Sequence, residues 1–560
     1  MKHWVRKSPQ LWRGIRLARR WHYARRGAYP DWRSVLERDG ARLREAKAQA
    51  AQGPRVLLGS SIGSYAHAVT LESALAVALT LRGADVHVLL CDAALPACAE
   101  CEASLYPDLA SFVARGPAGD LCRDCLWPAE AVYESLGMTT HRYSDWVTAA
   151  ARAEAARIAR EVPAAELRDL RLDGIALGEH AYAGTLRFFA SGSLDDEPQG
   201  EAVFRRYLEA ACLTAAASRR LLRRQAFTAA AFTHGIYVPW GIVGEVARQE
   251  GVRVSNWNVA YRKRRFIFSH GDTYHHTLMA EPVEAWQDEP LTPARETSLL
   301  DYLASRREGL FDWIVFHRPN RQSPAHIAAE LGLDTGRPVI GLLTNVSWDA
   351  QLHYPANAFP GMLEWLAETC RYFARRPDLQ LVIRVHPAEI SGFPQSRQPI
   401  LGGLRRHVPS LAANITVVPP ESRVGTYALM SLCNAAIIYG TKTGVELTAV
   451  GMPVIVAGEA WIRNKGITHD AGSPEEYFSI LDRLPFAGKM ADGQRHRARQ
   501  YAYHFFFRRM IPLPFIQPKA GYPLFTMNLQ SLDQLRPGAH RGLDVICDGI
   551  LSGLPFIYDE

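Results

Sequence analysis

The order of apolar and polar positions predicts alternating strands and helices in the first half of the chain. An apolar strand at 55–59 is followed by a polar loop, a helical stretch at 67–81 and a second strand at 86–90. This strand–loop–helix–strand order is typical of the start of a parallel α/β sheet. Further helices are expected at 147–170 and 201–224.

A second alternating series follows in the C-terminal half. Its continuous apolar runs are typical of strands that are buried on both faces of a parallel sheet. They lie at 339–343, 379–385, 415–418, 435–439 and 453–457, with helical patterns at 360–375, 424–432 and 444–450. The pattern predicts the α/β fold class with two Rossmann-like domains in series, in which ligands bind beyond the carboxyl ends of the strands.

A chain of 560 residues is too long for one hydrophobic core. The polar stretch at 286–335, which several prolines interrupt, is predicted to be a linker. The predicted organisation is an N-terminal arm at 1–50, a first domain at 51–285, the linker at 286–335, a second domain at 336–485 and a C-terminal helical segment at 486–560.

Composition and charge narrow the class of protein. With 48% hydrophobic and 22% charged residues, the chain has the composition of a folded protein. No apolar run approaches the 18 or so residues of a membrane-spanning helix, and the N-terminus lacks the apolar core of a secretory signal. These features predict a cytoplasmic protein.

The N-terminal arm concentrates positive charge. Nine Lys or Arg residues precede the first acid, Asp31, and are interspersed with Trp4, Trp12 and Trp21. A basic amphipathic helix of this kind suits the surface of an anionic membrane, which predicts peripheral contact with the inner face of the cytoplasmic membrane. A helix packed against the body of the protein, or an RNA-contacting arm, is an equal alternative, although no RNA-binding signature supports a nucleic-acid partner.

The segment that follows the strand at 435–439 is the most informative. It reads Tyr439-Gly440-Thr441-Lys442-Thr443-Gly444-Val445-Glu446. Two glycines permit a tight turn whose backbone N–H groups, two hydroxyls and one ammonium can surround a phosphate or diphosphate. Glu446 is placed to accept hydrogen bonds from ribose hydroxyls. The alternative is a glycine-rich turn with a capping threonine and a solvated glutamate.

Two further loops follow predicted strands. In Arg384-Val385-His386-Pro387, the proline ends the strand. His386 can donate to a phosphate oxygen or protonate a leaving phosphate. In the loop at 344–349, Asn345 and Asp349 are candidates for donor binding, although either could cap the next helix.

Together these segments resemble a known family. TNVSWDAQ, RVHPAE and GTKTGVELTAVGMPVIVAGEAWIRNKGITHD are similar to the capsule polysaccharide biosynthesis group of glycosyltransferases, over roughly residues 230–515. The resemblance implies a GT-B fold, with two Rossmann-like domains facing across a cleft. It implies a nucleotide-sugar donor in the C-terminal half and a glycan or lipid-linked glycan acceptor in the N-terminal half. The growing product would be a capsular or other surface polysaccharide.

The resemblance also has specific consequences for the donor and the C-terminus. The His-Pro pair with a small-hydroxyl loop is similar to the donor sites of bacterial Kdo and sialic acid transferases that use CMP-sugars. Those usually carry a Ser-Ser pair where this chain has Thr441-Lys442-Thr443, so the donor base stays open. Such proteins typically return a final helix to the first domain, and the aromatic and basic segment at 500–515 is suited to that role or to a membrane surface.

A cysteine cluster predicts a structural metal ion. Cys98-x-x-Cys101 and Cys122-x-x-Cys125 have nearly the spacing of a zinc ribbon, inserted in the first domain. Four thiolates complete a tetrahedron around a zinc ion. One alternative is an iron–sulfur cluster, and another is four reduced cysteines that bind no metal. Cys91 is interpreted as a strand-end residue. No catalytic metal is predicted.

Glycosyl transfer requires stabilisation of the leaving phosphate and, in an inverting enzyme, a general base near the acceptor. His67 and His234 are the obvious candidate bases, and Glu245 and Asp272 are weaker ones. A retaining enzyme needs no such base. Two other functions fit the same architecture: a sugar-nucleotide 2-epimerase, and a non-catalytic scaffold of a polysaccharide assembly complex.

Overall fold

The computed structural model describes Ala18 and residues 27–559, except 107, 118, 307–310, 314–321, 351–355 and 393. The chain forms two compact units. Unit 1 comprises the chain up to Phe189 together with 193–274 and 509–560, and unit 2 comprises 190–192 and 275–508. The basic arm before residue 27, except Ala18, lies outside the described residues, and its contact with a membrane stays a prediction.

Unit 1 combines a mostly parallel β-sheet with helices; elements are numbered along the chain. Its helices are α1 (Arg33–Ala50), α2 (Ala66–Thr80), α3 (Leu109–Arg115), α4 (Gly119–Ser135), α5 (Tyr143–Trp146), α6 (Ala149–Glu161), α7 (Leu177–Phe189), α8 (Gly200–Gln225), α9 (Trp240–Gln249) and α20 (Arg541–Ser552). Its strands are β1 (Arg55–Ser61), β2 (Asp85–Leu90), β3 (Thr139–Arg142), β4 (Ala229–Thr233), β5 (Arg253–Val259), β6 (Arg265–His270), β13 (Ile511–Pro512), β14 (Ile516–Pro518) and β15 (Phe525–Met527).

The sheet of unit 1 has the order β13-β6-β5-β4-β1-β2-β3. Strands β1 to β5 pair in parallel, and β6 and β13 continue the edge in antiparallel fashion. The chain proceeds from β1 outward to β3, then returns to the other side of β1 with β4. The strand order therefore reverses between β1 and β4, which is where doubly wound sheets bind ligands.

Unit 2 is a second α/β unit. Its helices are α10 (Tyr274–Met279, beginning on the last residue of unit 1), α11 (Pro293–Arg306), α12 (Pro324–Glu330), α13 (Met362–Ala374), α14 (Ala388–Ser391), α15 (Ile400–His407), α16 (Thr426–Met430), α17 (Thr443–Ala449), α18 (Pro474–Leu481) and α19 (Asp492–Tyr503). Its strands are β7 (Val339–Leu343), β8 (Gln380–Arg384), β9 (Ile415–Val418), β10 (Ala435–Ile438), β11 (Val454–Val456) and β12 (His469–Asp470).

All six strands of unit 2 pair in parallel, in the order β12-β11-β10-β7-β8-β9. The order reverses between β7 and β10, so the topology of unit 1 is repeated. Strands β7, β8 and β10 are buried along their whole length, as their continuous apolar sequences indicate. Two Rossmann-like sheets, each doubly wound, are thus present.

The structure adds detail to the predicted boundaries. The stretch at 286–335 carries helices α11 and α12 and belongs to unit 2. Residues 509–560 belong to unit 1 and supply three short strands as well as helix α20. Among the described residues, no helix combines the length and the apolarity needed to cross a membrane.

Candidate functional site

Three loops that the sequence singled out follow adjacent strands of unit 2. The loops at 439–442, 344–349 and 385–387 leave the carboxyl ends of β10, β7 and β8, which are neighbours in the sheet. Because carboxyl ends of parallel strands meet at one edge, the fold brings these loops together. We call this edge the unit 2 edge.

The imidazole of His386 is fixed in orientation and in tautomer. Its backbone N–H donates to Thr344 Oγ1 at 3.0 Å, which joins the loops after β8 and β7. Its Nδ1 atom accepts the Ala388 N–H at 3.1 Å. Burial, and then the charges of Lys442 and Arg384, lower the pKa of His386 to about 4. The ring is therefore neutral near pH 7, and its proton lies on Nε2.

The glycines of the loop after β10 have different roles. A Cβ atom at Gly444 would lie 2.6 Å from Ile438 Cδ1 and 3.0 Å from Ile462 Cγ2, so this glycine lets helix α17 pack closely on the sheet. Among the described residues, a Cβ at Gly440 would meet only Glu459 O, at 3.4 Å. Gly440 is therefore less closely packed than Gly444.

The hydroxyls of this loop are close together. Thr441 Oγ1 and Thr443 Oγ1 are 3.2 Å apart, and the Thr443 N–H donates to Thr441 Oγ1 at 3.4 Å. Each hydroxyl carries one O–H donor, and only one of the two is used in this contact. The O–H of the other threonine can therefore donate to an anion.

Glu446 lies beneath the loop, in a buried network. Its carboxylate is only 2% exposed. Oε1 accepts from Lys442 Nζ at 2.7 Å and lies 3.1 Å from Arg306 Nε, and Oε2 accepts from the Tyr427 hydroxyl. Burial by itself raises the pKa of Glu446, but the charges of Arg306 and Lys442 outweigh it and lower the pKa to about 2. Both oxygens are thus engaged within the protein, unlike the ribose acceptor that the sequence suggested, and the carboxylate orients Lys442.

The other predicted donor residues differ in their surroundings. Arg384 is buried and donates to Pro419 O at 2.6 Å, so its guanidinium supports the loop after β9. Pro387 precedes helix α14 directly. The Oδ1 atom of Asn345 is buried and accepts no hydrogen bond from the residues that the structure describes, whereas Asp349 is exposed. Asn345 is therefore a candidate acceptor at the unit 2 edge.

Sequence reasoning missed Glu459. It lies after β11, the strand next to β10, and its Oε1 accepts the Ala356 N–H at 2.7 Å. Its own N–H donates to Asn357 Oδ1 at 2.7 Å. No motif surrounds it in the sequence, and its only signal is an acidic residue shortly after a buried strand.

In unit 1, His234 lies where the strand order reverses, directly after β4. Its φ angle is +65°, and its backbone N–H donates to Trp257 O at 2.8 Å. Its ring centroid is 6.0 Å from that of Trp240, in a stacked arrangement, and 4.9 Å from that of Tyr237. Burial, followed by the charge of Arg187, lowers the pKa of His234 to about 3. We call the carboxyl ends of β1 and β4 the unit 1 edge; there His234 presents a neutral imidazole.

His67, another candidate base, is committed to packing. Its Nε2 accepts the Leu524 N–H at 2.9 Å, and its ring packs against Tyr522 and Phe525 of the C-terminal segment. Burial lowers the pKa of His67 to about 4. The nitrogen that would accept a proton already accepts a hydrogen bond, so the structure favours a structural role.

Glu245 and Asp272 also differ from the expectation of a catalytic base. Glu245 Oε1 lies 3.0 Å from His180 Nε2, and its Oε2 accepts the Ala176 N–H at 2.9 Å. Burial by itself raises the pKa of Glu245, but the hydrogen bond and charge of His180 lower it overall. This pair joins helices α7 and α9. Asp272 lies in the loop after β6, and its Oδ1 atom is 4.0 Å from Arg248 Nη1 on helix α9.

A buried glutamate that the sequence analysis overlooked connects the strand ends of the unit 1 edge. Glu72 accepts from Trp257 Nε1 at 2.8 Å and from the Ser60 hydroxyl, and Ser60 Oγ in turn accepts the Thr233 N–H at 2.9 Å. These contacts tie together β1, β4 and β5. Burial raises the pKa of Glu72 to about 7, although hydrogen bonds from Ser60 and Trp257 act against it.

The predicted metal ligands lie in two kinds of structure. Cys98 and Cys101 are in the loop after β2, whereas Cys122 and Cys125 lie one turn apart on helix α4. The second pair is therefore helical and does not form the expected knuckle turn. Within the described part of the chain, no group of three or more His, Cys, Asp or Glu side chains is arranged to hold a metal ion.

No protein-family model matches the chain, and no curated protein matches it. Among solved structures, it is similar to the beta Kdo 2,4 transferase KpsC of Thermosulfurimonas dismutans, at 14% identity over 49% of this chain and 80% of that one, with a TM-score of 0.31. The spinosyn rhamnosyltransferase SpnG with its aglycone is 12% identical over 81% and 96%, with a TM-score of 0.25. The UDP-GlcNAc 2-epimerase of Methanocaldococcus jannaschii is 8% identical over 79% and 97%, with a TM-score of 0.25. At these values the matches define neither the activity nor the substrate of this chain.

Proposed function

We propose that this protein is a glycosyltransferase of the GT-B type, which moves a sugar from a nucleotide donor to a surface polysaccharide or a lipid-linked glycan. The observation that carries the proposal is the convergence of three loops on adjacent strands at the unit 2 edge, with Thr344 and His386 joined by a hydrogen bond. The resemblance of these same loops to capsule polysaccharide glycosyltransferases supports it.

In this proposal the unit 2 edge holds the donor's phosphate. His386 Nε2–H donates to a phosphate oxygen, because Ala388 occupies Nδ1 and the ring is neutral. The pair of Thr441 and Thr443 adds a hydroxyl donor. Lys442 supplies positive charge close to His386, whose pKa it lowers. As the glycosidic bond to the donor breaks, negative charge grows on the leaving phosphate, and donors already fixed in place stabilise it without reorganisation.

The unit 1 edge would then receive the acceptor. His234 is the best-placed candidate base, since it directly follows β4 at the point where the strand order reverses. In an inverting reaction it would take the proton from the attacking hydroxyl as the new bond forms. The basic arm before residue 27 would hold the protein at an anionic membrane, where lipid-linked acceptors are found.

A thermal-shift screen with CMP, CDP, UDP and GDP tests the donor site. We expect at least one of these nucleotides to raise the melting temperature of the wild type. The same nucleotide should not raise the melting temperature of a variant that carries His386→Ala and Lys442→Met. The matched control carries His326→Ala and Lys489→Met, because both residues are exposed in the same unit. Stabilisation that survives in the double variant would refute the proposed phosphate site.

Incubation with the stabilising nucleotide's sugar conjugates distinguishes the type of function. Transfer to a glycan acceptor, or slow donor hydrolysis, is expected of a glycosyltransferase. Conversion to an isomeric nucleotide sugar without acceptor would identify an epimerase instead. Absence of any turnover with all donors would favour the scaffold.

A further inference from the structure

Strands β1 and β4 separate at the unit 1 edge. Their backbone pairing ends at Leu58 and Ala231, whereas β4 and β5 stay paired as far as Thr233 and Trp257. Beyond the last backbone pair of β1 and β4, the Thr233 N–H donates to the hydroxyl of Ser60 at 2.9 Å. A side chain therefore joins the two strands where their backbones no longer pair.

A residue in a left-handed conformation follows each end of this hydrogen bond. Ser61 has a φ of +53° and His234 a φ of +65°, although neither is a glycine. Such conformations cost free energy and persist only where the surrounding structure holds them. The hydrogen bond from Thr233 to Ser60 restrains the backbone directly before both residues.

Glu72, on helix α2, holds the side chain of Ser60. Its carboxyl group is only 2% exposed. Glu72 Oε1 accepts from the Ser60 hydroxyl, and the oxygen of that hydroxyl keeps a lone pair for the Thr233 N–H. The same Oε1 atom accepts from Trp257 Nε1 at 2.8 Å. One carboxyl oxygen therefore orients both a hydroxyl and an indole.

Both partners of Glu72 lead to His234. Trp257 O accepts the backbone N–H of His234 at 2.8 Å. On the other route, Ser60 O accepts from Trp240 Nε1, and the Trp240 ring is stacked on the imidazole of His234 with centroids 6.0 Å apart. Glu72 is thus connected to the backbone of His234 through one tryptophan and to its ring through another.

We propose that Glu72 is a positioning residue for His234, whose backbone and imidazole it holds at the unit 1 edge through Trp257 and through Ser60 and Trp240. The role of His234 as a base rests on the proposed function, whereas the placement of its ring by Glu72 does not. A base must lie within hydrogen-bonding distance of the hydroxyl that it deprotonates. A displacement of about 1 Å can lower a rate about 10²-fold.

NMR of the His234 imidazole tests the positioning without any substrate. In full-length protein with ¹⁵N-labelled histidine, the signals of His234 are those that disappear in His234→Asn. We expect these signals to shift in Glu72→Leu, which removes the acceptor of Ser60 and Trp257. They should stay close to the wild type in Glu72→Gln, because the amide oxygen can accept both hydrogen bonds.

Transfer kinetics test the consequence of the positioning. We expect Glu72→Leu to lower kcat by up to about 10²-fold, with an unchanged KM for the donor, and Glu72→Gln to restore kcat to within a few-fold of the wild type. Glu72→Leu combined with His234→Asn should be no slower than His234→Asn alone. A positioning residue has no further effect once the group that it positions is absent.

Two further variants keep the test independent of stability. Ser60→Ala removes one of the two routes, so it should shift the His234 signals even if Glu72→Leu does not fold. Leu79→Ala is the matched control, since Leu79 is buried two turns further along α2 and its truncation destabilises the protein through a cavity. It should leave both the His234 signals and kcat unchanged.

The outcomes separate this proposal from the proposed function. Unchanged His234 signals in Glu72→Leu and Ser60→Ala would overturn the positioning role, and so would an equal shift in Leu79→Ala. Additive losses of kcat in the double variant would also overturn it. Shifted signals together with normal transfer in His234→Asn would support the positioning and refute His234 as the base.

Discussion

Two buried glutamates under the two sheet edges show how the same topology can support different chemistry. Glu446, in unit 2, contacts the cations Arg306 and Lys442, and its pKa is lowered to about 2. Glu72, in unit 1, contacts neutral donors from Ser60 and Trp257, and its pKa is raised to about 7. Both sheets reverse their strand order at the corresponding place. Topology therefore determines where a ligand can bind, and the buried side chains beneath each edge determine the charge of that edge.

This difference between the two edges agrees with the proposal that unit 2 binds the donor and unit 1 binds the acceptor. In unit 2, the ammonium of Lys442 and the fixed N–H and hydroxyl donors around it favour a phosphate, because such donors stabilise an anion. An edge with a neutral imidazole and aromatic rings, as in unit 1, favours an uncharged hydroxyl acceptor. Each edge can be tested separately, from the largest expected effect to the smallest.

The largest effect is expected from Glu446→Gln. The substitution leaves Lys442 and Arg306 buried without this carboxylate, and breaking a buried ion pair costs about 3–5 kcal/mol. Hydrogen exchange of the amides in β10 and α17 should report this loss. Glu330→Gln, an exposed change in the same unit, should have no measurable effect, and equal protection in both variants would contradict the network.

The second effect concerns His386. Removal of one preorganised donor to a developing anion typically lowers kcat by about 10²–10³-fold, so we expect this loss in His386→Ala. Because its pKa is about 4, His386 should contribute no titration to the rate between pH 5 and pH 8. A rate that rises or falls with a His386-dependent step in that range would contradict its role as a neutral donor.

The third effect is a pH dependence of opposite sign in the two units. The pKa of Glu72 rises from 4.5 to about 7 on folding, so its stability contribution is complete below pH 4.5 and is lost as the pH rises through 7. The shift corresponds to about 3 kcal/mol. The pKa of Glu446 falls to about 2, so its contribution is present above pH 4.5 and is lost as the pH falls towards 2.

Hydrogen exchange between pH 5 and pH 8 can follow Glu72 directly. The amides of β1 and β4 should lose protection as the pH rises, after correction for intrinsic exchange, and Glu72→Gln should remove this trend. The dependence of amide protection on pH should be unchanged in Asp272→Asn, which alters a partly exposed carboxylate of the same unit. A trend that persists in Glu72→Gln would assign it to another group.

The smallest effect is expected from His234→Asn. Asparagine is the chosen replacement because it tolerates the positive φ at this position, so the backbone should be preserved. A general base typically contributes about 10²–10⁴-fold to the rate, and the low pKa of His234 places its expected loss at the lower end of this range. Nucleotide-induced stabilisation should be unchanged, since the donor loops lie in unit 2. Normal transfer in this variant would exclude His234 as the base.

The sequence predicted the strands of unit 2 well, because they are continuous apolar runs. The bounds of β7 and β9 agree with the expectation, β8 and β11 are one residue shorter at each end, and β10 is one residue shorter at its C-terminal end. Strand β4 was missed because its sequence is mostly alanine, which gives no alternating pattern. The predicted helix at 147–170 ends at Glu161, before Pro163, which cannot continue a helix.

The residues of the candidate site could be predicted only where a single short segment contains the sequence motif that indicates them. His386 precedes a proline that ends a strand, so its position could be inferred. The burial of Glu446 could not, because Arg306 reaches it from a stretch that looked like a linker.

The central claim is that the unit 2 edge binds the phosphate of a nucleotide donor. A crystal structure with the stabilising nucleotide tests it most directly. We expect a phosphate oxygen within hydrogen-bonding distance of His386 Nε2 and of the loop from Gly440 to Thr443. A phosphate bound away from both would contradict the account.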